Sequence, residues 1–416
     1  MILFAPNPTG SGHNMRALSI AQAIKKQRPD MPLTVALASL QPTFTPMFEK
    51  SGVEVVDIAG RLVDYSKKSN LSKELDWNNY IGGYIANTFL SGERILSYLA
   101  LIAEYKPTAL VSDYNMAACL AAIFSGTPLV FVTERYDFTL CQLEDHDLAD
   151  GGFEVNALEM ARARTALHSQ FNWMINQSQL VLTDKPYVAS LDQGTPVAEA
   201  LVSGKAHFVG PMIRDINVQT GLNVREQLNL GDSPFIVASI SGTTMFAQNK
   251  DALLAAYLDS FRILRERNPE LKLVLLGRQD IQAQDGVVCV PYYPDWMGLL
   301  REASLLISAP GWITVTEIAA LQIPTLFVLP SKSEYHELEA LRRLELLGFP
   351  THLGHDRDAI VELIQGELEK DTDASAYYAP HQQVAAPDGE GAARAATRII
   401  ELCQGSVVSL TESKAA

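Results

Sequence analysis

Short apolar runs recur along the chain, each closed by polar or turn-forming residues. In the first half they fall at residues 2–5, 33–38, 53–56, 109–112, 129–133, 180–183 and 207–209. The segments between them place apolar residues at helical spacing, as Leu18, Ala21 and Ile24 do. That spacing marks a helix with one buried stripe. An unbroken apolar run of this length reads as a strand covered on both faces, and strands alternating with helices predict a mostly parallel sheet between two helical layers. The pattern restarts with a strand at 235–240 and a helix at 250–267. Strands at 271–276, 286–291, 305–308 and 325–329 follow, separated by helices at 295–303, 313–321 and 334–347. The expected fold class is α/β, with two doubly wound, Rossmann-like domains.

The stretch between the two patterns holds Gly210, Pro211, Gly221 and Gly231 among polar residues, a composition that suits a linker. The expected organisation is an N-terminal domain over 1–210, a linker over 211–232, a C-terminal domain over 233–391 and a final segment over 392–416. That last segment reads as a helix at 392–403 with a frayed tail beyond Gln404. Residues 60–105 give no clear element pattern. A length of 416 residues also fits two domains, and 47% apolar against 19% charged residues lets each bury a core.

The formal net charge of −15 repels phosphate backbones, so nucleic acid is not an expected partner. It also offers no general attraction to anionic lipid. Met1 leads straight into a strand without a basic leader, and no run of about 18 apolar residues occurs, so neither a signal peptide nor membrane insertion is expected. Cys119, Cys141, Cys289 and Cys403 form no CxxC pair. They fit thiols in a reducing cytoplasm, with Cys119 and Cys289 buried. His352 and His355 flank Gly354 and read as a loop, not a metal site.

Candidate chemistry starts after the first strand, at Pro6-Asn7-Pro8-Thr9-Gly10-Ser11-Gly12-His13. In an open α/β sheet, ligands bind beyond the carboxyl ends of the strands. Glycines there admit close backbone approach, and a helix N-terminus favours negative charge. A dinucleotide fingerprint would need a third glycine where Met15 stands, and an acidic residue where the second strand ends in Ser39. A phosphate-binding P-loop is excluded because Gly204-Lys205 is followed by Ala206. His13 then reads either as a general base or as a residue capping the helix. Asp113, at the end of the fourth strand, is either the carboxylate that orients His13 or the N-cap of the next helix. Glu134, after the fifth strand, either contacts a ligand at the same rim, pairs with Arg135 or lies in a solvated loop.

In the second domain the informative segment runs Ser308-Ala309-Pro310-Gly311-Trp312-Ile313-Thr314-Val315-Thr316-Glu317. A strand ends, a tight turn follows and a helix opens, leaving amides that suit a diphosphate. Thr314 can add a hydroxyl, and Glu317 can accept both hydroxyls of a ribose. The alternative is a Thr314–Glu317 capping box. Strand-end loops at Ser241-Gly242-Thr243 and at Ser331 to His336 lie in equivalent places. Trp312, Tyr292 and Tyr293 read as core residues or as flanks of a nucleotide base.

Together these residues resemble the GT-B glycosyltransferases, in particular the peptidoglycan N-acetylglucosaminyltransferase and related UDP-sugar-dependent enzymes. The resemblance runs from Gly10 to about Gly348. It implies two Rossmann-like domains facing across a cleft, no cofactor and no metal. The implied substrates are a UDP-linked sugar and a small-molecule acceptor. On its motifs, His13 takes the base role and Asp113 orients it. Asn14 and Glu134 fall on the acceptor side. The donor side takes in Gly12, Arg214 of Gly210-Pro211-Met212-Ile213-Arg214, Ser241, Gly242, Thr243, Tyr292, Gly311, Trp312, Thr314 and Glu317. Tyr335 and His336 stand where the family has an acidic residue and a glutamine on the donor sugar. Ala309 stands where the family has a basic residue. The string His13, Met15, Arg16 and Leu18 also resembles nucleotide-sugar hydrolases of the same fold. A third reading is a nucleotide-sugar-binding subunit without catalysis.

Overall fold

A computed structural model describes residues 1–8, 11–37, 43–58, 91–215, 223–240, 246–277, 284–291, 293, 295–370, 375–386 and 389–413. Of the residues singled out above, Thr9, Gly10, Ser39, Gly221, Ser241, Gly242, Thr243 and Tyr292 lie outside them. The chain divides into two compact units. The first comprises Met1–Arg214 with Asp388–Ala416, and the second Asp215–Pro387.

In the first unit the strands are β1 (Ile2–Pro6), β2 (Leu33–Leu37), β3 (Glu54–Asp57), β4 (Ala109–Asp113), β5 (Leu129–Val132), β6 (Leu180–Thr183) and β7 (Ala206–Phe208). They form a parallel sheet in the order β3-β2-β1-β4-β5-β6-β7. Winding proceeds outward in both directions from the β1–β4 pair, so the loops that leave these two strands part to opposite faces and open a crevice. Pro6 lies in register with Asp113, which sets the loop after β1 beside the end of β4. The sequence produces this arrangement because Ile2, Leu3, Phe4 and Ala5 are all shielded from solvent. Only a strand covered on both faces buries consecutive side chains in that way. Each large one contributes about 1.5–3 kcal/mol.

Helix α1 (Ser11–Gln27) covers β1, and the C-terminal helix α2 (Gly391–Ser413) packs on α1. Ala17, Ala21 and Ile24 share one core cluster with Ala395, Ala396 and Ile399. Gly391 is required at the start of α2, because a Cβ there would collide with the carbonyls of Gly210 and Pro211. The helix runs to Ser413, well past the fraying expected at Gln404. No proline follows to interrupt its hydrogen-bond ladder.

The second unit holds β8 (Phe235–Ser239), β9 (Lys272–Leu276), β10 (Val287–Val290), β11 (Leu305–Ser308), β12 (Thr325–Leu329) and β13 (Thr351–Leu353). Their order is β10-β9-β8-β11-β12-β13, all parallel, with the reversal between β8 and β11. β13 corrects the loop expected around His352. It is a short edge strand of polar composition, too brief for a hydrophobic pattern to reveal. Cys289 is only partly buried, against expectation, because β10 is the other edge. The stretch expected as linker contains a short helix over Val224–Gln227, capped by the Asn223 side chain on the Glu226 amide.

Among the described residues, no helix is long and apolar enough to cross a membrane.

Candidate active site

The crevice of the first unit gathers charged groups from several strand ends. His13 is the third residue of α1 and therefore lies past the capping position. Its Nδ1 donates to Asp113 Oδ1 at 2.8 Å. The helix that follows β4 spans Met116–Ser125 and is capped by Asn115, whose side chain accepts from the Ala118 amide. Asp113 is thus not the cap, and its carboxylate is available to His13. Tyr114 turns the chain between these two residues at a φ of 48°, a left-handed conformation rare for a bulky side chain. The turn lets the Tyr114 carbonyl accept from Asn7 Nδ2 at 2.9 Å. It also sets the phenol ring nearly parallel to the His13 imidazole, with centroids 6.3 Å apart. His13 keeps 14% of its side chain exposed, and among the described residues Nε2 has no hydrogen-bond partner.

Beneath this pair lies Arg16, fully buried. Its Nη1 donates to both oxygens of Asp113, at 2.9 and 3.1 Å. Its Nη2 donates to Glu134 Oε2 at 2.7 Å and its Nε to Asp184 Oδ2 at 2.9 Å. Burial alone would lower the guanidinium pKa. The carboxylates of Asp113, Asp184 and Glu134 outweigh it and raise the pKa further. For Glu134, burial favours the neutral acid, yet Arg16 and then Arg135 hold it well below the usual carboxylate range. For Asp184, burial, aided by the nearby Glu134 and Asp113 charges, prevails against Arg16 and pushes the pKa to about 6.

Glu134, expected on the acceptor side or paired with Arg135, is held chiefly by Arg16, with Arg135 Nε at 3.8 Å from its other oxygen. It keeps 16% of its side chain exposed. Asn14, also expected on the acceptor side, is buried at 3% exposure. Gly12 is partly exposed in the first turn of α1. Arg214 is partly exposed at the end of the unit, after the buried Gly210 to Ile213. Asp184 was missed in the sequence. Its signal was the one that exposed Asp113, an acidic residue at the carboxyl end of a predicted strand. Arg16 could have been found from its spacing, since residues three apart on a helix share a face.

In the second unit, helix α3 (Trp312–Leu321) follows β11. Its N-cap is Gly311, which has no side chain to offer, so Thr314 lies inside the helix and the capping-box alternative is excluded. The first-turn amides have no side-chain cap. Glu317 is 4% exposed, and its Oε2 accepts from Trp296 Nε1 at 3.0 Å. Trp296, the first residue of a helix over Trp296–Glu302, was not foreseen as a partner. Trp312 and Ala309 are buried, while Thr314 is partly exposed.

Tyr335 is buried and burial pushes its phenol well above the ordinary range. His336 is partly exposed, with Nδ1 3.9 Å from Glu334 Oε2. Glu334, within the polar loop from Ser331 to His336, accepts from the Phe246 amide at 3.1 Å and from Asn249 Nδ2 at 2.7 Å. It thereby ties the start of the helix at Ala247–Arg267 to the start of the helix at Tyr335–Leu347. Tyr293, expected beside a base or in the core, is buried and donates to Gln227 Oε1 at 2.7 Å.

No protein-family model matches the chain. Among solved structures, the glycosyltransferase of kitacinnamycin superposes with a TM-score of 0.67 at 14% identity, over 97% of this chain and 98% of that one. The chain has the GT-B fold. A GT-B neighbour of different activity, a putative UDP-N-acetylglucosamine 2-epimerase from Listeria monocytogenes, superposes at 0.60 with 12% identity, over 96% and 94% of the two chains. In sequence, the chain is 21% identical over 336 residues to the UDP-N-acetylglucosamine–N-acetylmuramyl-(pentapeptide) pyrophosphoryl-undecaprenol N-acetylglucosamine transferase of Leuconostoc mesenteroides, covering 79% of this chain and 78% of that protein.

Proposed function

We propose that this GT-B protein is a glycosyltransferase that moves a sugar from a UDP-linked donor to a hydroxyl or amine of a soluble small-molecule acceptor. The observation that supports it most is the His13–Asp113 hydrogen bond of 2.8 Å at the strand reversal of the first sheet. Asp113 fixes the imidazole with Nδ1 protonated, so Nε2 is the basic nitrogen. It takes the proton from the acceptor as the acceptor oxygen or nitrogen bonds to the anomeric carbon. The bond from that carbon to the diphosphate oxygen breaks, and the nucleoside diphosphate leaves with the electron pair.

In the second unit, the first-turn amides of α3, which no side chain caps, would stabilise the charge growing on the diphosphate. Thr314 adds its hydroxyl, and Glu317, steadied by Trp296, takes the ribose. The relatives' names support a UDP donor. The amides do for the diphosphate what a basic residue at Ala309 would do elsewhere in the family, and no metal is required by this scheme. The buried Arg16 of the His13-Asn14-Met15-Arg16 string keeps hydrolysis as a second reading, in which water replaces the acceptor.

The test is calorimetric titration of UDP, with TDP and GDP alongside, followed by incubation of UDP-sugars with and without an acceptor panel. UDP binding with sugar release that depends on acceptor supports transfer. Release at equal rate without acceptor establishes hydrolysis instead. Binding without turnover, indifferent to His13→Ala, leaves a sugar-nucleotide-binding protein.

A further inference from the structure

His13 and Arg16 are three residues apart on α1 and so present to one face. Both converge on one carboxylate oxygen, Asp113 Oδ1, which accepts from His13 Nδ1 at 2.8 Å and from Arg16 Nη1 at 2.9 Å. That sharing raises a difficulty for the base. A guanidinium alone on Asp113 would neutralise it and weaken its hold on an imidazolium. The structure supplies the remedy from two further strand ends. Glu134, after β5, takes Nη2, and Asp184, after β6, takes Nε. Three carboxylates thus surround one guanidinium.

We propose that Arg16 and Asp184 are positioning residues for His13: Arg16 clamps the Asp113 carboxylate against the imidazole, and Asp184 with Glu134 offsets the guanidinium so that the charge of Asp113 serves His13. This rests on reading His13 as the base. The charged groups facing the cluster are His13 and Arg16 from α1, Asp113 from β4, Glu134 and Arg135 after β5, and Asp184 and Lys185 after β6. A merely structural tie between strand ends would work as well with a neutral amide at position 184. Keeping a carboxylate there, fully buried and with its pKa pushed up to about 6, works against its own ionisation at neutral pH. A need for that negative charge accounts for its presence.

Asp184→Asn in the full-length chain decides between the two roles. The amide oxygen still accepts from Arg16 Nε, while the negative charge is lost. With a UDP-sugar and acceptor, kcat is expected to fall roughly tenfold, a fraction of the 10²–10⁴ a general base contributes. KM should hold within about twofold, and the thermal midpoint should not drop. The same substitution made in His13→Ala should change the residual rate no further, because its effect passes through His13. Unchanged kcat in Asp184→Asn, or an equal fall in both backgrounds, overturns the proposal. Arg16→Lys, which cannot bridge the carboxylates, should lose about a hundredfold in kcat by misplacing Asp113. A wild-type rate there also overturns it.

If the wild-type protein turns over no sugar nucleotide, the base reading fails by itself. The network is then read by carbon-13 NMR of the Asp184 carboxyl. Its midpoint near 6 should fall in Asp113→Asn, where a neighbouring negative charge is gone. A midpoint that ignores Asp113→Asn overturns the coupling on which the positioning roles depend.

Discussion

The two units share a topology and differ in what stands at the reversal of strand order. In the first, β1 and β4 end among His13, Asp113 and Arg16, with Glu134 and Asp184 from the neighbouring strands. In the second, β11 ends in Ser308-Ala309-Pro310-Gly311, and the groups on offer are uncapped helix amides, a threonine and one glutamate held by an indole. Charge in the first is dense, buried and mutually compensated. Among the described residues of the second it is sparse. The difference teaches that the doubly wound sheet fixes only a place. A proton-transfer site needs ionisable groups whose environments oppose one another. A diphosphate site can rely on backbone dipoles that any sequence supplies once a helix starts there.

The comparison breaks most sharply at Arg16. Removing it as Arg16→Ala leaves buried carboxylates without their counter-charge, which should destabilise the first unit by about 3–5 kcal/mol, read by urea unfolding. A loss under about 1 kcal/mol would mean that water reaches the cluster and that its charges are not buried as described. His13→Ala comes next. It should lower kcat by roughly 10²–10⁴ while leaving UDP affinity untouched by calorimetry, if the base and the donor site belong to separate units. Glu317→Ala should do the reverse, weakening UDP by about 1–3 kcal/mol. Equal UDP binding in that variant would remove the donor site from α3.

The smallest effect concerns pH. The folded pKa of Asp184, about 6, is raised above its ordinary value of 3.8. The folded state therefore binds more protons between those limits. The stabilisation is full below the lower limit and is lost as pH rises through about 6. The slope cannot exceed about 1.4 kcal/mol per pH unit for one proton. Glu134 acts in the opposite sense and in a lower window that overlaps the first only at its acid edge. Its depressed pKa gives stability that is present above about 4.5 and lost as pH falls below it. Asp184→Asn should flatten the stability curve between pH 4 and 6 and leave the acid loss below it. A curve unchanged in that window would show that Asp184 does not hold its proton there.

Much of this was legible in the chain itself. Buried parallel strands announce themselves as unbroken apolar runs, because both of their faces must be covered. The ends of those runs located His13, Asp113, Glu134, Gly311 and Glu317, since a polar residue at a strand terminus breaks the pattern. Less visible were elements without a pattern of their own. β13 reads Thr-His-Leu and borrows its strand character from β12. The C-terminal helix carries an apolar stripe but no indication of its partner, and it packs on α1 in the first unit.

The sequence by itself determined the two α/β units, the strand-end loops and the residue types available for chemistry, because periodicity and turn composition are local properties of the chain. Tertiary structure alone decided the pairings. It chose Asn115 over Asp113 as the helix cap, brought Arg16 to Asp184 across 168 positions of sequence, and gave Glu317 its indole donor. It also turned Tyr335 inward. A hydrogen bond between distant residues leaves no trace in spacing. It forms only when sheet register and helix packing bring donor and acceptor within about 3 Å, and only there does burial decide which carboxylate keeps its proton.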